Sequence, residues 1–335
     1  MPKSKWNLNT IYISERLQES LRPISRCAMT TVVAPMGYGK TTAVEWYLAE
    51  RAGAEAPYIV RISVYSGNLA IFWKSAQDAF ARAGFAFLRE YDCPTDGASG
   101  GLLIDDLCHA LTGEKSCYIF IDDFHLLTDK RAPGFLCALA GRLPPNVHLI
   151  LASRDLFLPA AELIRLGGKV YQIGTAQLRL NHTELAVYTN RCGTALSDEQ
   201  IDTLLYYSEG WFSAVYLNLR MFSEHGVLPD PNSDISSIFT AAMIDPLPEK
   251  QREFLAVMGL ADEFTVEMAQ FVMADAHAED LLAALTGQNA FVKRLPDGAT
   301  YRFHHMMKEC ALHTFLSMPK ERQTVYRGRL GIWYE

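Results

Sequence analysis

The most informative stretch of this chain is Ala34-Pro35-Met36-Gly37-Tyr38-Gly39-Lys40-Thr41-Thr42. It follows the β-branched run of residues 30–33, which predicts a strand, and it precedes residues 43–50, whose composition predicts a helix. A strand, a loop with glycines, Lys-Thr and a helix in this order are typical of a P-loop, in which backbone N–H groups and the helix N-terminus surround phosphates. The first glycine of the usual pattern is Ala34 here. We therefore predict nucleotide contacts from Pro35, Gly37, Tyr38, Gly39, Lys40, Thr41 and Thr42.

A second motif supplies carboxylates for a metal ion. The apolar run of residues 117–121 predicts a buried strand, and Asp122 and Asp123 follow it directly. In a P-loop protein such a strand end lies near the phosphates, so we predict that Thr41 and Asp122 bind Mg²⁺. Lys40 would neutralise charge on the β- and γ-phosphates, and Asp123 would orient or deprotonate the attacking water. The alternative interpretation is a buried strand that runs into an acidic turn.

Two further side chains follow predicted strands. Residues 147–152 predict a strand, and Ser153 and then Arg154 follow it, where a cation can sense the γ-phosphate. Arg154 is therefore a catalytic candidate beside Lys40 and Asp123, and the alternative is a solvated arginine at a strand end. His125 lies next to the acidic pair and is either an outer group of the site or a structural residue.

The composition describes an ordinary globular protein. Hydrophobic residues make up 49% and charged residues 21% of the 335, which is enough apolar material for two or three domains. A net charge of −7 argues against nucleic-acid binding by this chain alone. The seven cysteines lack metal-ligand spacing and favour reduced thiols. The first six residues lack a signal-peptide core, and no apolar run reaches the roughly 20 residues that a bilayer requires, so we predict a cytoplasmic protein without a membrane partner.

The order of predicted elements indicates three domains. Strands alternate with helices up to residue 173, which predicts an α/β P-loop NTPase domain, 1–174, with a parallel five-stranded sheet and helices on both faces. A helical domain, 175–232, follows and ends in a predicted linker, 226–233. Further helices and a hairpin that turns at Asp297-Gly298 predict a winged-helix domain, 233–335, together with the start of a following helical region.

Six motifs also carry a family resemblance, and they occupy residues 33–42, 72–74, 121–127, 151–154, 209–211 and 301–305. With them the chain resembles the STAND signal-transduction ATPases, in particular the large ATP-binding LuxR-type transcriptional regulators. Alanine at position 34 is common in that family. Val64-Tyr65 and Phe212 depart from the family's usual Leu-Asp and proline, which leaves the adenine contacts undefined.

The resemblance implies an ATP/ADP-gated switch with slow, Mg²⁺-dependent ATP hydrolysis, in which three domains close over one nucleotide. His304 would contact the β-phosphate of ADP in the resting state. An inducer, either a small molecule or a protein, would promote ATP binding and self-association. DNA would be bound only by a C-terminal helix-turn-helix domain that these 335 residues do not include, so we expect the chain to be an N-terminal fragment.

Two other functions stay open at this point. A P-loop kinase or an AAA+-like motor would use the same motifs as an enzyme in its own right and would turn over faster. A nucleotide-independent scaffold could keep a relict P-loop, although the intact Lys40, Thr41 and Asp122 argue against it. The chain has no Asn-Lys-x-Asp motif to recognise guanine, which favours ATP over GTP.

Overall fold

The computed structural model describes residues 7–8, 10–225, 240, 244–287, 292–295, 297–303 and 305–335. The described residues fall into two compact units, those within Ile11–Leu178 and those within Arg179–Glu335 together with Asn7, Leu8 and Thr10. The predicted linker at 226–233 and the predicted domain boundary at residue 232 lie outside the described residues, and so does His304.

The first unit contains a parallel sheet with the order β2-β3-β4-β1-β5. Its strands are β1, Met29–Val33; β2, Tyr58–Ser63; β3, Cys117–Asp122; β4, Val147–Ser153; and β5, Val170–Ile173. β1 and β4 are buried along their whole length, as their continuous apolar and β-branched runs predict for strands covered on both faces. The predicted five-stranded parallel sheet is confirmed.

Helices cover both faces of this sheet. They are α1, Glu15–Leu21; α2, Lys40–Glu55; α3, Leu69–Arg82; α4, Gly97–Leu111; α5, Arg131–Arg142; α6, Ala160–Leu166; and α7, Thr175–Leu178. Ile119 and Ile121 of β3 belong to the core formed with α3, α4 and α5. Because strand side chains alternate between faces, Tyr118 points the other way, and its ring centroid lies 5.9 Å from that of Tyr47 on α2.

Helix α4 begins earlier than the sequence predicts. The glycines and proline of residues 93–101 indicate a loop, but the helix begins at Gly97. The Asp96 carboxylate accepts a hydrogen bond of 2.8 Å from the backbone N of Ser99, and the Asp96 backbone N donates to the Ser99 hydroxyl. This capping box satisfies N–H groups that a helix start leaves unpaired, and it outweighs the low helix propensity of glycine.

The second unit is mainly helical. Its helices are α8, His182–Arg191; α9, Asp198–Ser208; α10, Phe212–His225; α11, Glu249–Met258; α12, Val266–Met273; α13, Ala278–Gly287; α14, His305–Leu316; and α15, Lys320–Tyr334. Asn181 and Ser197 begin α8 and α9 with capping boxes. Among the described residues, no helix is both long and apolar enough to cross a bilayer.

A small antiparallel sheet lies within this helical unit. Its strands are β6, Glu263–Phe264; β7, Val292–Arg294; and β8, Tyr301–Phe303, in the order β6-β8-β7. Val292 pairs with Phe303, and the Asp297 carboxylate accepts a hydrogen bond of 3.0 Å from the backbone N of Thr300. The hairpin and the helices before it confirm the predicted winged helix, whereas the two-residue strand β6 was not predicted.

Candidate functional site

The P-loop connects β1 to α2 with two glycines in the left-handed backbone region. Gly37 has φ 80° and Gly39 has φ 78°, a region that residues with a Cβ atom rarely adopt. Pro35 and Tyr38 are buried, and Thr41 and Thr42 lie exposed in the first turn of α2. The predicted nucleotide-contacting residues therefore surround the N-terminus of a long helix, where backbone N–H groups and the helix dipole favour an anion.

Lys40 is almost fully buried, with 8% of its surface exposed. Its Nζ donates hydrogen bonds to the backbone oxygens of Ala34 at 2.6 Å and Pro35 at 2.8 Å. Burial is the main cause that lowers the pKa of Lys40 to about 8, and Arg154 lowers it further, while nearby aspartates oppose the shift. The ammonium group is thus held inside the loop, in a position that favours a strong anionic partner.

Thr41 and Asp122 connect the P-loop to the end of β3. The Thr41 hydroxyl donates a hydrogen bond of 2.8 Å to Oδ2 of Asp122. Burial raises the pKa of Asp122, and the hydrogen bond from Thr41 opposes that shift. A hydroxyl and a carboxylate are hard oxygen ligands of the kind that Mg²⁺ uses together with substrate phosphates, so these two residues fit the predicted ion.

No complete metal cage is needed for such an ion. In the described part of the chain, no three His, Cys, Asp or Glu side chains come together in a way that could hold a metal. Mg²⁺ usually keeps several waters and takes only one or two protein carboxylates. The Thr41 and Asp122 pair therefore suits Mg²⁺ together with a nucleotide, and it does not suit a structural metal such as zinc.

Asp123 has a different environment from Asp122. Its backbone is left-handed, with φ 53°, and its N–H donates a hydrogen bond of 2.9 Å to Oδ1 of Asp122. The Asp123 side chain is 47% exposed. Aspartate tolerates this backbone better than most residues because its short side chain can hydrogen-bond locally. The turn separates the two carboxylates, so that one faces Thr41 and the other is accessible from outside.

Arg154 lies directly beyond β4, the strand between β1 and β3. The fully buried Ser153 hydroxyl donates a hydrogen bond of 2.9 Å to the backbone oxygen of Asp155, which fixes the turn. Arg154 is exposed, and its charge lowers the pKa of both Lys40 and His125. Arg154 thus shares an electrostatic environment with the P-loop, whereas the contact of His304 with ADP stays a prediction.

The environment of His125 is not evident from the sequence. Its side chain is only 8% exposed, and neither ring nitrogen has a hydrogen-bond partner; Nδ1 lies 3.9 Å from Oδ1 of Asp123. Burial first and then the charge of Arg154 lower the pKa of His125 to about 4, against the influence of Asp123. A buried polar group without a partner is rare and requires an explanation. The only sequence signal was its position beside the acidic pair.

His125 should make the nucleotide-free protein lose stability at mildly acidic pH. Its pKa is lowered from 6.5 to about 4 in the folded chain, so the unfolded chain binds more protons between these values. The free energy of unfolding should therefore fall by up to about 3 kcal/mol as the pH decreases through this window. Chemical denaturation from pH 7 to pH 4 measures this slope.

The matched control uses two substitutions. The His125→Phe variant should have a flatter pH dependence, whereas His109→Gln, at an exposed position of α4, should behave like the original chain. A smaller slope will persist because burial also lowers the pKa of His148. The same slope in the His125→Phe variant and the original chain would contradict the assignment.

Comparisons with known proteins agree with this architecture. Residues 240–323 match the MalT winged helix domain. The HTH-type transcriptional regulators MalT of Vibrio campbellii and Yersinia pestis are each 22% identical to this chain and cover 97% of it. The match covers 38% of each relative, so this chain spans well under half of their length.

Two solved structures share the fold at low sequence identity. A Walker-type ATPase of Pyrococcus abyssi gives a TM-score of 0.65 at 11% identity and covers 93% of this chain and 99% of its own. The ORC2 protein of Aeropyrum pernix, solved in ADPNP and ADP complexes, gives 0.51 at 12% identity and covers 94% and 93%. The resemblance inferred from the motifs is confirmed: the chain is similar throughout to the N-terminal region of the MalT transcriptional regulators, with a P-loop ATPase fold and a MalT-type winged-helix domain.

Proposed function

We infer that this chain is an ATP/ADP-binding switch with slow ATP hydrolysis, and that it forms the regulatory region of a MalT-like transcriptional regulator. The observation that carries this inference is the hydrogen bond of 2.8 Å from Thr41 Oγ1 to Asp122 Oδ2. It joins the phosphate-binding loop to the acidic strand end, in the arrangement that P-loop ATPases need. Asp123 and Arg154 both act electrostatically on Lys40, which lies beside this pair.

Each side chain has a distinct role in the proposed reaction. Lys40 would exchange its bonds to the Ala34 and Pro35 carbonyls for bonds to phosphate, and its low exposure strengthens that attraction. Thr41 and Asp122 would hold Mg²⁺, which when bound neutralises charge on the phosphates. The accessible Asp123 would accept the proton of the attacking water, and Arg154 would stabilise charge on the γ-phosphate.

Switching requires that ATP and ADP differ in their binding to alternative domain arrangements. Contacts from Lys40 and Arg154 to a γ-phosphate exist only with ATP, and charge-assisted hydrogen bonds contribute roughly 1.5–3 kcal/mol each. To convert a 1:99 population ratio into 99:1, the free energies with which ATP binds the two arrangements must differ by ~5.5 kcal/mol. We propose that the domains that change their arrangement are residues 1–174, 175–232 and 233–335.

The relatives are transcriptional regulators, which extends the proposal to partners. An unidentified inducer would promote ATP binding and self-association, and a further domain would carry DNA binding. The formal net charge of −7 agrees with a region that regulates rather than contacts DNA.

Analysis of bound nucleotide tests the proposed function. The purified protein is denatured, and the released small molecules are separated by anion-exchange chromatography. We expect stoichiometric ADP, and we expect ATP to raise the melting temperature of protein from which nucleotide was removed. An empty protein that is stabilised by added ATP would support the binding site but not a resting state closed on ADP.

Two outcomes would overturn the proposal. If neither ATP nor ADP changes the melting temperature, the P-loop does not bind nucleotide. Steady hydrolysis at about 1–100 s⁻¹, a rate typical of kinases, would contradict a slow switch and favour an enzyme in its own right.

A further inference from the structure

The unit Ile11–Leu178 contains a cavity that is separate from the P-loop. Its volume is about 400 Å³, and it lies between strands β2, β3 and β4 and helices α3, α4 and α5. Ile119 and Ile121 form part of its floor, whereas the P-loop helix α2 packs on the opposite face through Tyr47 and Tyr118. A nucleotide in the P-loop would therefore not occupy this cavity.

The wall of the cavity is apolar and rich in aromatic rings. The cavity is lined by aromatic side chains from two helices, Phe72, Trp73 and Phe80 of α3 and Phe135 of α5. The two arginines at its edge are exposed and already paired, Arg131 with Asp129 and Arg142 with Asp105. An apolar interior of this size with a polar rim has the composition of a small-molecule site, for which volumes of about 300–1,000 Å³ are usual.

The glycines of α4 are a second observation that points to a ligand. Gly97, Gly100 and Gly101 all line the cavity. A Cβ atom at Gly97 or Gly101 would meet nothing within 4 Å, and at Gly100 it would make ordinary contact with the Phe135 ring at 3.5 Å. Alanine at an interior helix position stabilises by about 1 kcal/mol relative to glycine. Packing therefore does not require these glycines, and all three line the cavity without contributing a side chain to it.

Volume and polarity define the class of occupant. An α-helix is about 10–12 Å wide and would fill more than ~1,000 Å³ over three turns, so a partner helix does not fit. The interior offers no buried charge for a nucleotide or a sugar phosphate, because Asp96, Arg131 and Arg142 lie exposed at the mouth. A small aromatic or branched aliphatic molecule matches both the space and the rings.

The cavity also touches the candidate catalytic segment. Ile121 precedes Asp122 and Phe124 follows Asp123, and both apolar side chains line the cavity. Phe124 is buried, with its ring centroid 4.7 Å from that of Phe157. A molecule bound in the cavity would contact Ile121 and Phe124, the residues immediately before and after Asp122 and Asp123. Close-packed interiors transmit displacements rather than absorb them.

We propose that this cavity binds a small apolar effector, aromatic or branched aliphatic, and that its occupancy alters the nucleotide site through Ile121 and Phe124. The binding part does not depend on nucleotide chemistry. The coupling part rests on the function proposed above for Asp122 and Asp123.

Binding is tested with N-phenylnaphthylamine, a neutral aromatic dye that fluoresces in apolar sites. We expect saturable binding of one dye per chain. The Ala76→Leu and Ala138→Leu double variant fills the cavity from α3 and α5 and should weaken binding at least tenfold without lowering the melting temperature. The matched control is Ala70→Leu at an exposed position of α3 that does not line the cavity. Non-saturable binding, or equal binding by the filled variant, would overturn the proposal.

A second measurement uses the unmodified sequence, in case the filled variant fails to fold. Cys93 lines the cavity and Cys27 does not; both are partly exposed, and burial raises the pKa of both thiols. The dye should slow alkylation of Cys93 several-fold, measured by peptide mass spectrometry, and leave Cys27 unchanged. Equal rates at Cys93 with and without dye would contradict occupancy of the cavity.

Coupling is measured separately from binding. The dye should change the ATP dissociation constant at least twofold in the original chain and not in the filled variant. The Lys40→Ala variant should still bind the dye. Loss of nucleotide binding can therefore be distinguished from loss of dye binding. If the dye binds but does not change the ATP dissociation constant, the proposed coupling is wrong and the proposed binding site is supported.

Discussion

Replacing Lys40 with alanine should lower the affinity for ATP at least about 100-fold, or ~3 kcal/mol. Lys40 is a buried cation whose Nζ lies inside the loop, where the phosphates would bind. Isothermal titration calorimetry of nucleotide-free protein with ATP and with ADP measures the loss. The nucleotide-free variant should keep its melting temperature, because burial already disfavours the charged form of this side chain.

The control for this experiment is Lys130→Ala, which removes an exposed lysine from the start of α5. It should bind ATP like the original chain. Tight ATP binding by the Lys40→Ala variant would reject the P-loop assignment, because the loop would then bind without its only buried ammonium group among the described residues.

Replacing Asp123 with asparagine should slow ATP hydrolysis by about 10²–10⁴-fold and change ATP affinity by less than about threefold. Asparagine keeps the volume and tolerates the left-handed backbone with φ 53°, so the turn should persist while the proton acceptor is lost. Single-turnover hydrolysis and equilibrium binding, measured on the same sample, separate the two effects.

Two other aspartates provide the comparison for Asp123→Asn. Asp122→Asn should instead weaken the dependence of ATP binding on Mg²⁺. Asp122 accepts a hydrogen bond from the Thr41 hydroxyl, and these two residues are the proposed ligands of the ion. Asp129→Asn alters an aspartate that pairs with Arg131 and should leave both rate and affinity unchanged. Unchanged turnover in the Asp123→Asn variant would remove its role as the base.

The sequence predicts those features that depend on local pattern. The strands β1, β3 and β4 are mostly apolar or β-branched, and the glycines before α2 with Lys-Thr at its start are typical of a P-loop. The Asp-Gly turn likewise predicts the hairpin of β7 and β8. In each case the residues that specify the element are neighbours in the chain, so their physical preferences can be read directly.

Other features depend on residues that are distant in the chain. The start of α4 is set by reciprocal hydrogen bonds between Asp96 and Ser99. The glycine-rich composition of this segment indicates a loop instead. His125 is unusual because it is buried and because the charge of Arg154, which follows β4, acts on it. The cavity exists only where three helices pack on the sheet. Such properties arise from tertiary packing, which single-sequence patterns do not encode.

The strand order has a consequence for the synthesis of the protein. β1 pairs with β4 and β5, the last two strands of the sheet to be made, and Met29 lies opposite Leu149 and Val170. The first of these partners follows 149 − 29 = 120 residues later, or roughly 6–24 s at ~5–20 residues per second. During that time the phosphate-binding loop follows a strand without a partner. The proposed nucleotide site is thus encoded early in the chain, but the strand that leads into it gains its partners late in synthesis.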